Sequence, residues 1–442
     1  MILQACTKEL HVNAAPSLDW EALLNNLKLL CAQPSVVGQV RGLNDGADSV
    51  ASILRDVGLD CRIVQTAGAP IVLGRYDVGA SRTLLVYGRY DVPPPGLPRS
   101  WTHDPFQPAI RDGALYARGA VVKAELAARA AALRILIKQR VPVNIVMVVE
   151  GESLIGSPHL SELQDATARV DACLWSGGSF DADNMPLLYT GVKGLLQVEL
   201  QAATANTVLP ATYAATVPNP IWTLVLALAS IKSEFEEILI EGFYDEIVPP
   251  SRAALNAVQR LDVGDQARRT AWQVGQFITN VSGAMLTRTE TFSPTCNISA
   301  INVAGSDLPS IPQRASATLH FQLVPELQPQ RLFELLTTHL ATLGFTSLKV
   351  TQLPGAYGPL QSSELAFNPG QAAVGIFGKY AQLVPLAPFA APAALVAPNK
   401  PFLSCGLERP DSALFGADEH VPLADIEAHA RLVLELLQRM AV

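Results

Sequence analysis

The stretch that decides the fold is Leu84–Gly96, LLVYGRYDVPPPG. Its apolar beginning is typical of a buried strand in a parallel sheet, and the three prolines after Val92 cannot continue a hydrogen-bonded ladder. Arg89 and Asp91 therefore lie where a strand ends. Side chains two residues apart on a strand point to the same side, so we expect the guanidinium and the carboxylate to form an ion pair in one cleft.

The composition is that of a large acidic protein with few charged residues. The chain has 442 residues and a net charge of −8, with 16% charged and 49% apolar residues. This length exceeds what a single hydrophobic core usually holds, so we expect two domains. No basic run or stripe occurs, which argues against a nucleic-acid partner or a membrane surface and favours a small-molecule, peptide or protein partner.

The cysteines and apolar stretches predict a cytoplasmic protein. Six cysteines are scattered without the close spacing of a zinc site or a disulfide framework, as is typical of reduced thiols. The first residues, MILQACTKELHVN, lack a basic region followed by an apolar one, so no signal peptide is predicted. The longest apolar stretches, 221–231 and 381–398, are too short or too rich in proline to cross a membrane.

Alternating helix and strand patterns predict an α/β domain in the first part of the chain. Helices are predicted at 17–30, with Ser17 as the cap, at 46–57 and at 124–139, and strands at 61–65, 71–76, 83–90 and 143–150. The order of these elements is typical of a mainly parallel sheet.

Beyond residue 192 the pattern changes to that of an inserted two-layer α+β domain. Strands with period-two alternation are predicted at 195–202 and 315–323, and helices at 218–231 and 328–343. The chain then returns to the first domain and ends in a helix over 422–440. We therefore predict a discontinuous catalytic-type domain, residues 1–192 and 356–442, and an inserted lid or dimerisation domain, residues 193–355.

Four sequence blocks carry a resemblance to a known family. They are LLVYGRYDVPPPG, WTHDPFQPAIRDGALYARGA, VEGESLIGSPHL, and NISAINVAG followed by QLVPELQP. In this order they resemble the M20 family of zinc-dependent metallopeptidases, dipeptidases and amidohydrolases, particularly its dipeptidase-like branch. The resemblance covers nearly the whole chain. It implies a parallel-sheet domain with an inserted lid domain, and a homodimer formed through the lid.

The same resemblance implies a zinc pair held by His, Asp and Glu side chains, but this chain has other residues at those positions. The positions of the zinc ligands, the general base, the lid histidine and the substrate-binding arginine correspond to Arg89, Val121, Val122, Ser153, Leu154, Gly177, Leu209, Gln322 and Leu414. Zinc needs electron-pair donors, which protonated Arg and the side chains of Val, Leu and Gly do not offer. We therefore predict a degenerate member with no bound metal or other cofactor.

Several polar residues remain as cleft candidates, with the catalytic residues unknown. They are Arg89, Asp91, Glu150, Glu152, Ser153 and Asn297. For Arg89 with Asp91 we favour a structural ion pair in a disused cleft over an anchor for a ligand carboxylate. Ser153 lacks a GxSxG turn and a recognisable histidine partner, so a loop hydroxyl is favoured over a nucleophile. A metal site formed by His420, Asp418 and Glu419 is a minor alternative.

These observations leave three functions open, in order of preference. The first is a non-hydrolytic pseudoenzyme that acts as a scaffold, a subunit or a binding protein for a small peptide or amino-acid ligand. The second is a metal-independent enzyme that reuses the cleft for peptide or amino-acid-derived substrates in a biosynthetic pathway. A cluster of perturbed titratable groups in the cleft would favour it. The third is a zinc-dependent dipeptidase or amidohydrolase with unrecognised ligands.

Overall fold

A computed structural model of the chain describes residues 18–304, 308–362 and 365–442. Its strands are β1 (Asp60–Val64), β2 (Ile71–Tyr76), β3 (Thr83–Arg89), β4 (Ala109–Arg111), β5 (Ala114–Tyr116), β6 (Asn144–Glu150), β7 (Ala172–Ser176), β8 (Leu187–Tyr189), β9 (Gly191–Val192), β10 (Gly194–Ala203), β11 (Leu209–Pro210), β12 (Thr295–Ala304), β13 (Ser310–Ile311), β14 (Arg314–Leu323), β15 (Lys349–Gln352), β16 (Leu360–Gln361), β17 (Gln382–Val384), β18 (Phe402–Cys405) and β19 (His420–Pro422). Its α-helices are α1 (Trp20–Ala32), α2 (Val40–Val57), α3 (Ala120–Lys138), α4 (Gln164–Thr167), α5 (Pro220–Ile231), α6 (Arg252–Gln259), α7 (Asp265–Trp272), α8 (Gly283–Phe292), α9 (Pro329–Thr342), α10 (Val374–Phe377), α11 (Ala393–Val396) and α12 (Leu423–Met440).

The larger sheet has eight strands in the order β1-β2-β6-β3-β7-β18-β8-β17. Strands β6, β3, β7 and β18 run parallel at its centre. The residues of β3 are buried on both faces of this sheet. Leu84 and Val86 pack into a core shared with α1, α2, α3 and α12, whereas Leu85 and Tyr87 pack into a second core on the opposite face. This double burial explains the continuous apolar run in the sequence.

The smaller sheet is antiparallel, with four strands in the order β12-β14-β10-β15. Helices α5 and α9 supply Leu224 and Leu336 to a core that also contains Val198 and Leu319 of the sheet. The result is a layer of helices on a layer of strands. The predicted fold class, a mainly parallel α/β domain with an inserted α+β lid, is confirmed, and the domain boundaries remain a prediction.

Helix α3 begins at Ala120, four residues earlier than predicted, because of the backbone at Gly119. Gly119 has φ +83°, a left-handed conformation that favours glycine. A Cβ atom there would lie 2.5 Å from Val92, so the start of α3 packs directly on the chain that leaves β3. The segment WTHDPFQPAIRDGALYARGA, which ends at Ala120, therefore contacts the segment LLVYGRYDVPPPG.

Some elements differ from the sequence predictions. Helix α1 begins at Trp20, and Asp19 caps it by accepting the Ala22 N–H at 3.0 Å, whereas the predicted cap Ser17 lies outside the described residues. Helices α6, α7 and α8 were not predicted, since each has only eight to ten residues, which is too short for a clear helical period. Within the described ranges, no helix is both long and apolar enough to cross a membrane.

Candidate functional site

A cavity of about 260 Å³ lies at the carboxyl ends of the central strands. Arg89 is the last residue of β3, Ser176 is the last residue of β7, and Glu408 follows β18 by three residues. All three side chains line the cavity. Ligands of open parallel sheets bind at this edge, where consecutive strands lead into loops.

The positions assigned from separate sequence blocks meet in this cavity. Its lining includes Arg89, Val121, Ser153, Gly177 and Leu414. Because these residues come from blocks far apart in the chain, their convergence supports the assignment made block by block. The two lid positions, Leu209 on β11 and Gln322 on β14, do not line the cavity.

The predicted ion pair between Arg89 and Asp91 is not formed. Asp91 is buried and turns toward the loop after β6, where its carboxylate accepts the Ser153 hydroxyl at 2.7 Å and the Leu154 N–H at 2.9 Å. Burial raises the pKa of Asp91, and these two hydrogen bonds oppose the rise. The sequence prediction was wrong because this loop supplies the donors that Asp91 needs.

Arg89 is half-buried, and its side chain lines the cavity. Its Nε atom is buried without a hydrogen-bond partner. No other residue in the described part of the chain forms an ion pair with its guanidinium. A cation in this position can be neutralised by an anionic group that enters the cavity.

Glu150 lies beneath the cavity wall in a buried hydrogen-bonded cluster. One of its carboxylate oxygens accepts the hydroxyl groups of Tyr87 and, at 2.8 Å, of Ser157. Burial raises its pKa to about 8. The Tyr87 ring stacks on Trp175 with centroids 3.6 Å apart, and both rings line the cavity. Glu150 therefore fixes the wall and does not itself face the ligand.

The Glu150→Gln variant is expected to change how stability depends on pH. Between the ordinary carboxyl pKa and about 8, the folded protein holds a proton on Glu150 that the unfolded chain releases. The free energy of unfolding of the wild type therefore falls as pH rises through this window, and the variant lacks this contribution. In urea unfolding, the free energy of unfolding of the variant should rise relative to that of the wild type by up to about 1.4 kcal/mol per pH unit. Parallel stability curves for the two proteins would contradict this assignment.

Glu152 and Asn297 do not reach the cavity. Glu152 contacts His159, with 2.5 Å between a carboxylate oxygen and Nδ1. Asn297 is exposed on β12, opposite His320 of β14. Ser153 does line the cavity, but none of the histidines that the structure describes does, so its hydroxyl has no imidazole base among them.

Other lining residues were missed in the sequence. Glu125 on α3 accepts the Leu407 N–H at 2.9 Å and the Ser176 hydroxyl. Glu408 is half-buried, its pKa is raised by burial, and its carboxylate makes no hydrogen bond or ion pair with the described residues. Residues 389–392, from the proline-rich stretch 381–398, form another wall. A charge just after an apolar strand, as in FLSCGLER, was the one signal that could have identified Glu408.

The donors around this cavity do not fit a zinc pair. Among residues 18–304, 308–362 and 365–442, no three His, Cys, Asp or Glu side chains converge in a way that could hold a metal ion. The alternative set also diverges. Glu419 binds Arg118 at 2.8 Å, Asp418 accepts the Thr102 N–H at 2.9 Å, and His420 stacks on Tyr116. We therefore assign no metal-dependent step to these side chains.

Comparisons with known proteins agree with the fold. The profile of peptidase family M20/M25/M40 matches residues 85–439. The Beta-Ala-His dipeptidase of Homo sapiens is 26% identical over 291 residues, covering 61% of this chain and 56% of that protein. The succinyl-diaminopimelate desuccinylase of Stenotrophomonas maltophilia is 30% identical over 213 residues, covering 46% of this chain and 54% of that protein. The chain thus aligns with little more than half the length of these relatives.

Solved structures match over almost the full length. An M20 family metallo-carboxypeptidase from Sulfolobus solfataricus is 26% identical, with a TM-score of 0.87 over 95% of this chain and 99% of that chain. Human carnosine dipeptidase 1 is 20% identical, with a TM-score of 0.82 over 96% of each chain, and shares the fold. The sequence blocks, the sheet order and these matches lead to one conclusion, that the chain belongs to peptidase family M20/M25/M40.

Proposed function

We propose that this M20 family member is a non-hydrolytic protein that binds a small carboxylate-bearing ligand in the cavity at Arg89. The observation that carries the proposal is the guanidinium of Arg89, which lines the cavity without a partner among the described residues. A desolvated cation is costly when it is unpaired, and arginine binds carboxylates through two parallel hydrogen bonds. Arg89 therefore serves as a carboxylate anchor and not as the structural ion pair first expected.

The chemistry of the cavity supports a function without hydrolysis. Hydrolysis in this family depends on zinc, and the cavity presents Arg89, Val121, Gly177 and Leu414 where the resemblance places zinc ligands. The guanidinium remains protonated and repels a metal cation, and the other three side chains offer no electron pair. The hydroxyl of Ser153 occupies the position of the general base.

The metal-independent enzyme is less well supported by the same geometry. Burial raises the pKa values of Asp91, Glu150 and Glu408, which is the kind of perturbation that an acid or base would need. However, Asp91 and Glu150 are hydrogen-bonded away from the cavity. Only Glu408 of these three carboxyls lines it. Glu125 lines it too, but its carboxylate already accepts hydrogen bonds from Leu407 and Ser176, so we assign no acid and base pair among the described residues.

Metal content and hydrolysis test the proposal together. The protein, expressed with added zinc and desalted, should contain far less than one zinc ion per chain by elemental analysis. It should not hydrolyse Beta-Ala-His or other dipeptides, with the Homo sapiens Beta-Ala-His dipeptidase as the positive control of the assay. Near-stoichiometric zinc accompanied by turnover would overturn the proposal and return the zinc-dependent dipeptidase to first place.

We also propose that two copies of the chain associate through the lid. Strand β12 is at the edge of its sheet, and its residues Ile298, Ile301 and Val303 are 45–56% exposed. A long apolar edge strand offers unpaired backbone groups, which a second copy can satisfy by antiparallel pairing. The five cysteines within the described ranges are buried and free, and we take this as support for a cytoplasmic location.

The lid association has a direct test. Replacing Ile301 by lysine places a charge on the edge strand and should convert the dimer to a monomer, measured by light scattering after size-exclusion chromatography. Leu343 follows α9 and is 52% exposed, compared with 56% for Ile301, so Leu343→Lys is the matched control and should remain dimeric. A wild-type monomer, or equal behaviour of the two variants, contradicts the proposal.

A further inference from the structure

A second unpartnered charge, of opposite sign, lies in the cavity at Arg89. Glu408 lines the same cavity, and its carboxylate makes no hydrogen bond or ion pair within the described ranges. Arg89 and Glu408 form no ion pair with each other, although the charge of the guanidinium opposes the rise that burial causes in the pKa of the Glu408 carboxyl. One molecule with an anionic group and a cationic group can neutralise both.

We infer that the ligand is a zwitterion of the amino-acid type with an apolar side chain. Its carboxylate binds Arg89 and its ammonium group binds Glu408. This inference rests on the proposed function, because it uses Arg89 as the carboxylate anchor. The cavity volume of about 260 Å³ is small for a ligand site, which limits the zwitterion to a single amino acid or a dipeptide.

Glu408 is the carboxylate that is free to accept an ammonium group. Glu125 also lines the cavity, but its two oxygens accept the Leu407 N–H and the Ser176 hydroxyl. The backbone of Glu408 is held in place, since its N–H donates to the Gly178 carbonyl at 3.0 Å and its own carbonyl accepts the Phe180 N–H at 3.2 Å. A fixed backbone reduces the entropy lost when the carboxylate is ordered by a ligand.

Three other protein cations close to Glu408 have partners of their own. Glu408 also lines a neighbouring cavity with Lys193, Arg268 and Arg409. Lys193 donates to the carbonyls of Glu290 and Ser293, at 2.7 Å and 2.8 Å. Arg268 binds the Glu290 carboxylate, and Arg409 binds Asp425. None of these three cations makes an ion pair with Glu408. Burial raises the pKa of this carboxyl and the charge of Arg268 opposes that rise without direct contact, which leaves the contact to a ligand.

Aromatic and aliphatic side chains form much of the remaining lining and select the body of the ligand. Trp175 is 1% exposed and is held by its stack on Tyr87, so its ring presents a rigid surface. Phe389, Leu414 and Phe415 belong to the same apolar lining. A hydrophobic side chain buried against these residues contributes affinity in proportion to the area removed from water. The charges at each side of the cavity then fix the orientation of the ligand.

Calorimetric titration with charge-deleted ligands tests the inference on the wild-type protein. The zwitterionic probes are L-leucine and L-leucyl-L-leucine, the carboxylate-only probes are 4-methylpentanoate and N-acetyl-L-leucine, and the ammonium-only probe is L-leucinamide. The tighter zwitterion is expected to bind about 10- to 100-fold more tightly than any probe that lacks one charge. This part of the test needs no variant and therefore does not depend on the folding of one.

The Glu408→Gln variant tests the residue itself. The amide keeps the shape of the side chain but removes its charge, so the zwitterion should bind no more tightly than 4-methylpentanoate, whose own affinity should be unchanged. Glu427→Gln is the control, because Glu427 is an exposed acid on α12 that pairs with Arg431 outside the cavity. The control should keep the full preference for the zwitterion.

The outcomes separate this inference from the proposed function. If 4-methylpentanoate binds as tightly as the zwitterions, or if Glu408→Gln leaves the preference intact, the role of Glu408 is wrong while carboxylate binding stands. If none of the probes shows saturable binding, both the inference and the carboxylate-binding function are overturned. Binding of L-leucyl-L-leucine without L-leucine keeps the inference and assigns the longer ligand.

Discussion

Replacing Arg118 by methionine is expected to lower the free energy of unfolding by about 3–5 kcal/mol. Arg118 and Glu419 are each 1% exposed and form an ion pair with 2.8 Å between Nη1 and Oε2. Methionine fills similar space but leaves the carboxylate of Glu419 buried without a cation. The backbone N–H groups of Gly119 and Val121, at 3.1 Å and 3.4 Å, remain as its donors. Urea unfolding near neutral pH measures this loss.

The double variant and the pH dependence show whether the unpaired charge causes the loss. Burial already raises the pKa of Glu419, and Arg118 opposes this rise, so removing Arg118 raises that pKa further. The deficit of Arg118→Met should therefore be complete above the pKa of Glu419 in the folded variant and should shrink as pH falls toward the lower pKa of Glu419 in the folded wild type. Adding Glu419→Gln should restore part of the stability. A deficit that is equal at all pH values and in the double variant would indicate lost packing instead.

The sheet could be predicted from the sequence because its signals are local. The run Leu84–Tyr87 needs only its own residues to show that both faces of β3 are buried, and Pro93–Pro95 mark its end without reference to any other segment. The position of Arg89 at the end of β3 correctly indicated the edge of the sheet at which the cavity lies. The change to period-two strands beyond residue 192 indicated the inserted lid, and the resemblance carried by the motif blocks implied the same domain.

The partners of charged residues could not be predicted in the same way. Asp91 binds donors at residues 153 and 154, and that depends on the conformation of the loop after β6. Glu408 reaches the cavity because the chain beyond β18 pairs with residues 178–180, more than 200 positions earlier in the sequence. Neither contact corresponds to a periodic pattern or a fixed residue spacing that could be recognised in the sequence. The sequence therefore indicated the place of the site and misassigned the pairing within it.

Replacing Arg89 by methionine is expected to abolish carboxylate binding while making the ligand-free protein more stable. The wild type holds the Nε atom of Arg89 buried without a partner, and methionine relieves that penalty. We expect the free energy of unfolding to rise by about 1–2 kcal/mol, because an unsatisfied buried donor costs about that much and the guanidinium is only half-buried. Calorimetry and urea unfolding measure the two effects on the same preparations.

The direction of the stability change decides between the two roles considered for Arg89. A structural ion pair would lose stability when its cation is removed, by about 3–5 kcal/mol if the partner were left buried. If Arg89 is a ligand anchor, its replacement makes the ligand-free protein more stable and removes ligand binding. This is common for functional groups that a protein holds unsatisfied for a substrate. Arg89→Lys keeps the charge without the planar fork, so it should restore weak binding only. Lower stability with unchanged 4-methylpentanoate binding would return Arg89 to a structural role.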